Sequence, residues 1–296
     1  MSLDEIFAVS GGVATTAQLT SVMTRKKLAS LVRSGAIKRV CRGVYCPRSP
    51  GGPERLAALD LLNTTPIVAC MSTAAALYGF DTQEDNRVHI LDPGVRIRST
   101  GCLVVHQRVG APLRRVRGRL ATTPAWTAVE IARTLRRPRA LATLDAALHV
   151  GACTVGELDA AVREQKGRRG IVAVRGLLPL ADGRAESPME SEMRLVLLDR
   201  GVPIPELQHE IVDRTGKLWR VDFAWPDVKL AAEYDSQQWH ANPAAFAHDR
   251  IKVARLQECG WTTVAAVADD IRIHPEDLVR HLFEYLDRPA RPAVAG

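Results

Sequence analysis

Three carboxylates crowd one stretch near the C-terminal end: Asp222, Glu233 and Asp235, within Trp219-Arg220-Val221-Asp222-Phe223-Ala224-Trp225-Pro226-Asp227-Val228-Lys229-Leu230-Ala231-Ala232-Glu233-Tyr234-Asp235. The stretch reads as two strands, 221–225 and 228–234, joined at Asp227-Val228. In such a hairpin residue i faces residue 455 − i. Asp222 then lies opposite Glu233, with Cβ atoms about 5 Å apart. Asp235 joins their face by the period of two, and Val221, Phe223, Leu230, Ala232 and Tyr234 point the other way into a core. Carboxylates so placed repel one another unless a cation or water lies between them. Oxygen ligands at this spacing suit Mg²⁺ or Mn²⁺, and such an ion could activate water against a phosphodiester.

A second set of residues is cationic and sits at the other end of the chain. On a helix that buries Leu28, Leu31 and Val32, the side chains of Lys26, Ala29, Ser30 and Arg33 fall on the opposite face, with Arg25 and Lys27 on its flanks. A helix entering the major groove needs long donors for phosphates and guanine edges, and small residues that allow close approach. A β-prone ribbon follows with Lys38, Arg39 and Arg42, the last at its tip beside Gly43. A wing there would lie along the backbone or the neighbouring minor groove of double-stranded DNA, with no cofactor required.

Local signals place these residues on elements. Ser2-x-x-Glu5 is a capping box ahead of Ile6, Phe7 and Val9, and Gly11-Gly12 ends that helix. Thr15 or Thr16 caps a short second helix, Thr24 caps the third, and Gly35 stops it. Pro47, Pro50, Gly51, Gly52 and Pro53 read as a linker. Beyond it, strands are expected at 87–91 and 102–106, and helices at 126–135, at 140–150 and from the capping box Thr154-x-x-Glu157. Ser187-Pro188-Met189-Glu190 opens another helix with proline at its first position, ending at Gly201. A helix over 243–258, a strand over 262–267 and a helix from Pro275 complete the chain. The expected architecture is α/β and multidomain: a winged helix-turn-helix over residues 1–50, a mixed α/β middle domain over 54–184, and a restriction-endonuclease-like α/β domain over 185–296.

Charge follows the same division. The chain of 296 residues carries a net +7, with +6 in residues 1–50, +7 in residues 51–184 and −6 in residues 185–296. The basic front suits a polyanion, whereas the acidic back is a poor docking surface for one. An apolar fraction of 46% with 25% charged residues marks a globular chain. No secretory leader is expected from the acidic start, and the longest uncharged stretch, 61–80, is too polar to span a membrane. The six cysteines form no CxxC pair or Cys/His ladder, so a reduced cytoplasmic setting is expected, without structural zinc or a disulfide framework. Walker A, GxGxxG, HExxH and GxSxG motifs are missing. The runs Arg114-Arg115-x-Arg117-x-Arg119 and Lys166-Gly167-Arg168-Arg169 read as solvated loops or secondary phosphate anchors.

Two resemblances add to this reading. The run Gly12-Val13-Ala14-Thr15 … Leu28-x-x-Leu31-Val32-x-x-Gly35-Ala36-Ile37-x-Arg39-Val40-x-Arg42-Gly43-Val44-Tyr45 resembles the N-terminal winged helix of AbiEi-type antitoxins, and Met71-Ser72-Thr73-Ala74-Ala75-Ala76-Leu77-Tyr78-Gly79 is similar to a segment that often follows it. This resemblance implies an autorepressor in a type IV toxin–antitoxin arrangement, paired with a neighbour-encoded nucleotidyltransferase-like toxin. Residues 187–270 resemble the PD-(D/E)xK nucleases, especially the branch related to very-short-patch repair endonucleases, through Ser187-Pro188-x-Glu190-Ser191, Val221-Asp222-Phe223, Glu233-Tyr234-Asp235, His240, Asp249-Arg250 and Gly260-Trp261-Thr262-Thr263-Val264. By that resemblance Asp222 and Glu233 would hold metal, Asp235 and Glu190 would assist, and His240 would act as base or leaving-group acid. The superfamily's lysine two positions after the glutamate is Asp235 here, and the glycine after it is Ser236, so no ammonium is expected beside Glu233. Glu190 is also explained as a capping-box residue, and His240 beside Trp239 as a partly buried surface histidine.

The expected function is therefore a DNA-binding transcriptional regulator, an autorepressing antitoxin that needs no enzymatic activity. Its rear domains would serve a homodimer or contact with the toxin. The alternatives are a Mg²⁺-dependent DNA endonuclease using Asp222, Glu233 and Asp235, and an antitoxin that neutralises a toxin by direct contact.

Overall fold

The computed structural model describes residues 2–63, 65–83, 85–95, 97–107, 110–236 and 243–287, with the side chains of 243–246 left aside. The chain forms two compact units, residues 1–79 with 83–130, and residues 80–82 with 131–296.

The first unit opens with α1 (Leu3–Val9), β1 (Ala14–Thr15), α2 (Thr16–Thr20), α3 (Arg25–Arg33), β2 (Lys38–Cys41) and β3 (Val44–Cys46). Its helix starts are set by side-chain oxygens that take otherwise orphaned backbone N–H groups. Ser2 and Glu5 form the expected capping box, Thr15 accepts from the Gln18 N–H, and Thr24 accepts from the Lys27 N–H. Gly35 takes φ +76° just past α3, a left-handed conformation that lets the chain turn back. The three short strands form one sheet in the order β1-β3-β2. Ile6, Phe7, Ala14, Leu19, Leu28 and Ile37 make the core beneath, with Leu31, Val32 and Tyr45 packed against it.

The expected linker is only partly one, because α4 (Gly52–Leu62) starts inside it with Pro53 in its first turn. This helix packs on both sides. Ala57 and Ala58 meet Val13, Val44 and Cys46, while Leu56 meets Ile67, Val88, Ile90 and Leu103. Each of the valines, leucines and isoleucines among them, fully buried, contributes about 1.5–3 kcal/mol. The strand ribbon and the next sheet therefore share one body. That sheet comprises β4 (Val68–Ala69), β5 (Val88–Leu91), β6 (Leu103–His106), β7 (Leu113–Val116) and β8 (Arg119–Thr122), with α5 (Met71–Tyr78) following β4. Its order is β6-β5-β4-β8-β7, with β5/β6 and β4/β8 parallel and the other pairs antiparallel. The arginine run is a hairpin rather than a loop: Arg117 and Gly118 take φ of +49° and +79° between β7 and β8, the pair of positive φ values of a two-residue turn that matches strand twist.

The boundary between the units falls within α6 (Pro124–Ala132). The second unit continues with α7 (Arg137–His149), α8 (Val155–Glu164), α9 (Ile171–Leu177) and α10 (Pro188–Asp199). Then come β9 (Glu206–Val212), β10 (Leu218–Trp225), β11 (Leu230–Tyr234), α11 (Pro243–Glu258), β12 (Thr262–Ala266), α12 (Ala268–Arg272) and α13 (Pro275–Leu286). The sheet order is β12-β11-β10-β9, parallel only between β11 and β12. On one face Phe223, Trp225, Leu230, Ala232, Val264 and Ala266 pack with Met193 and Leu197 of α10, Ile271 of α12 and Leu278 and Leu282 of α13. In a second cluster Trp219, Val221, Ala224 and Ala231 meet Ile211 of β9, Leu256 of α11 and Trp261.

The expected register holds, since Phe223 pairs with Ala232, Ala224 with Ala231 and Trp225 with Leu230. One detail differs: Val221 belongs to the second cluster and Phe223 to the first, although the sequence put both on one face. The change coincides with Gln208 on β9, whose φ of +54° interrupts strand alternation across from Asp222.

Candidate nucleic-acid interface and a carboxylate strand pair

Every one of the side chains expected to meet DNA lies on the surface of the first unit. Arg25, Lys26, Lys27, Ser30 and Arg33 on α3, Lys38 and Arg39 on β2, and Arg42 at the ribbon turn are all exposed. Leu28 is buried and Leu31 and Val32 are half-buried beneath them, so the apolar stripe predicted from spacing is the one that turns the basic face outward. Among the described residues none of these cations is held in an ion pair. Arg39 donates only from Nε to the Cys41 carbonyl, at 3.2 Å. An α-helix with unneutralised cations on its outer face, flanked by a cationic ribbon, can bind phosphate backbones and offer guanidinium groups to base edges.

In the second unit Asp222 and Glu233 occupy opposed positions one step beyond the Phe223–Ala232 pair. Asp222 Oδ2 accepts the Tyr234 backbone N–H at 2.9 Å, which takes the place of a ladder bond. Burial pushes the Asp222 carboxyl above its ordinary value, and the Tyr234 N–H and Lys252 only partly offset this. Glu233 is likewise raised by burial, against the pull of Lys252. Lys252, on α11, forms an ion pair and hydrogen bond with Glu233 Oε1. An ammonium does therefore stand beside Glu233, contrary to the expectation. It comes from a helix nineteen residues later in the chain, where a search two positions after the glutamate could not find it.

Glu190 also departs from its expected role. Ser187 accepts the Glu190 N–H, but the Glu190 carboxylate accepts the Glu186 N–H and Gln208 Nε2, both at 2.9 Å, instead of closing the box on Ser187. Burial and then the nearby charge of Asp222 raise its pKa. Asp235 is exposed, and its backbone N–H donates to the Ala266 carbonyl at 2.9 Å. His240 lies outside the described residues.

The donor set can be tested against a divalent ion. Among the described residues no three His, Cys, Asp or Glu side chains converge as a metal site. Glu233 already shares its charge with Lys252, and Asp222 with a backbone N–H. Among the described residues Asp222 and Glu233 therefore stand as a carboxylate pair engaged by a backbone N–H and Lys252, with Asp235 exposed beside it.

Two further polar groupings escaped the sequence reading. In the first unit His89 Nδ1 lies 2.8 Å from His106 Nε2, and His89 Nε2 lies 2.8 Å from Asp85 Oδ2. Asp85 is held far below the usual carboxylate range, chiefly by its hydrogen bond to Arg87. In the second unit Arg194 pairs with Asp145 at 2.6 Å, the two side chains 7% and 1% exposed. His89 with His106 and Asp145 with Arg194 are joined across 17 and 49 positions, whereas Asp85, Arg87 and His89 are near neighbours in the chain.

The class so defined is a multidomain α/β protein whose first unit presents an exposed cationic helix and ribbon. The comparisons make the class specific. Residues 1–48 match the family model described as "Transcriptional regulator, AbiEi antitoxin", and residues 67–180 match that of the "AbiEi antitoxin C-terminal domain". The chain belongs to the AbiEi antitoxin family of transcriptional regulators. It is also 59% identical over 266 residues to the uncharacterized proteins MT2308 and Rv2248 of two Mycobacterium tuberculosis strains, covering 90% of this chain and 98% of each relative. The second family match crosses the boundary between the two compact units. Among the described residues no helix is long and apolar enough to cross a membrane.

Proposed function

We propose that this chain is a cytoplasmic antitoxin that represses its own operon by binding duplex operator DNA through a winged helix-turn-helix. In this reading α3 enters the major groove, with Lys26, Ser30 and Arg33 toward the bases and Arg25 and Lys27 toward phosphates. Lys38, Arg39 and Arg42 follow the adjacent backbone as the wing. The observation that carries the reading is the exposure of all these side chains on one small, well-packed element. Family membership supports it. A homodimer would set two such elements on paired half-sites, and the cognate toxin would be a neighbour-encoded nucleotidyltransferase-like protein. A metal-dependent endonuclease would need the C-terminal carboxylates to share an ion, and Glu233 is paired with Lys252 instead.

A mobility shift on the protein's own upstream DNA, in EDTA and with unrelated duplex as competitor, tests this. The expected complex survives competitor and weakens steeply with salt. A complex that competitor removes entirely would reduce the chain to non-specific binding and sink the operator reading.

A further inference from the structure

A wing is useful only if its tip is held in a fixed direction relative to the recognition helix. Here the tip is Arg42-Gly43, between β2 and β3. The Gly43 carbonyl accepts two hydrogen bonds from a single residue: the Thr16 backbone N–H at 2.8 Å and the Thr16 hydroxyl at 3.2 Å. Thr16 is the first residue of α2, directly after Thr15, which caps that helix and pairs with Val44 on β3. The N–H contact prolongs the β1–β3 ladder by one residue. The hydroxyl contact is additional, and belongs to the side chain.

The distinction has a physical consequence. One donor leaves a peptide plane free to rock about a single bond, whereas two donors on the two lone pairs of a carbonyl oxygen fix the plane. Gly43 has φ +81°, in the left-handed region, so its own backbone imposes little restraint. A Cβ there would meet Thr16 Oγ1 at an ordinary 3.8 Å, so the glycine answers to the turn and not to crowding. The carbonyl that Thr16 grips belongs to the Gly43–Val44 peptide, so the contact holds Gly43, the residue that follows Arg42, whose side chain is exposed.

We propose that Thr16 is a positioning residue for DNA binding: its hydroxyl locks the Gly43 carbonyl and thereby directs Arg42 toward the phosphodiester backbone of a duplex. The assignment rests on the DNA-binding reading above. Thr16 itself makes no contact with DNA in this scheme, and it links the wing to the short helix that precedes α3.

The test compares the full-length wild type with Thr16→Val, Thr16→Ser, Arg42→Ala and the Thr16→Val/Arg42→Ala pair. Each is titrated onto the protein's own upstream duplex over a range of KCl, with thermal unfolding recorded alongside. Thr16→Val is expected to weaken binding about three- to tenfold, the size of one neutral hydrogen bond. It should also flatten the dependence of log K on log salt by up to about 0.9, one phosphate contact. A merely destabilised protein would lose active fraction without changing that slope. Thr16→Ser should restore both values, and Thr16→Val should add nothing once Arg42 is alanine. The assignment is overturned if Arg42→Ala weakens binding while Thr16→Val leaves affinity and slope unchanged, or if the two effects simply add. If Arg42→Ala is neutral while the wild type binds, the assignment alone falls; if the wild type does not bind, the DNA-binding reading itself fails and takes this assignment with it.

Discussion

Asp222 turns its carboxylate to the backbone N–H of Tyr234, 2.9 Å away on the neighbouring strand, with Glu233 beside it on the opposed position. A buried acid thus does part of the work of a sheet ladder. Burial raises its folded-state pKa above the ordinary 3.8, so ionisation works against folding. Stability linked to this group is whole below about pH 4 and is lost as pH rises through the raised folded-state value. Asp222→Asn keeps an oxygen acceptor for Tyr234 and removes the charge. Its Tm should exceed that of the wild type at neutral pH, and the two should converge in acid. A lower Tm at neutral pH would mean that attraction to Lys252 outweighs the cost of burial.

Lys252 and Glu233 form a partly buried pair, their side chains 17% and 23% exposed. Lys252→Met should destabilise the protein by about 1–3 kcal/mol, because it leaves Glu233 uncompensated. Adding Glu233→Gln should recover part of the loss, which a double-mutant cycle in urea would resolve. Millimolar Mg²⁺ or Mn²⁺ should leave the wild-type Tm in place. A saturable rise would return these carboxylates to the role of metal ligands.

On α3, Lys26→Ala and Arg33→Ala should each weaken operator binding. A side chain that neutralises a phosphate should reduce the salt slope by about 0.9, while one that reads a base should mainly relax sequence preference. Arg280→Ala, at an exposed position on α13, should change neither. Equal losses at all three positions would point to bulk charge instead of a defined interface.

The Asp145–Arg194 pair is deeper, and Asp145 Oδ1 also accepts the Asp182 N–H at 2.8 Å. Arg194 Nη1 donates to the Leu180 carbonyl at 2.5 Å. Asp145→Ala should cost about 3–5 kcal/mol, since it strands a guanidinium in a dry interior. Replacing both residues by apolar ones should recover much of this in chemical denaturation. An Asp145→Ala protein as stable as the wild type would show that water reaches Arg194.

Sequence alone was sufficient wherever the deciding forces act over a few residues. Ser2 with Glu5, Thr24 with Lys27 and Thr154 with Glu157 mark helix starts because each cap closes within three positions. Leu28, Leu31 and Val32 define the buried stripe of α3, and so the outward direction of its cations, because helical period is a local property. The pairing of β10 with β11 was legible for the same reason, as a short turn and a period of two leave one register.

Tertiary structure decided what depends on meetings between distant elements. Lys252 reaches Glu233 only when α11 packs on the sheet, and Arg194 reaches Asp145 only when α10 packs on α7. His89 meets His106 because β5 and β6 lie parallel, an arrangement that no turn between them announces. The same holds for β9, whose Gln208 departs from strand geometry opposite Asp222 and holds Glu190. In each case the charge or hydrogen bond forms between groups that composition and spacing leave unrelated. Its partner is chosen by the hydrophobic packing that brings the elements together, and that packing is a property of the whole chain.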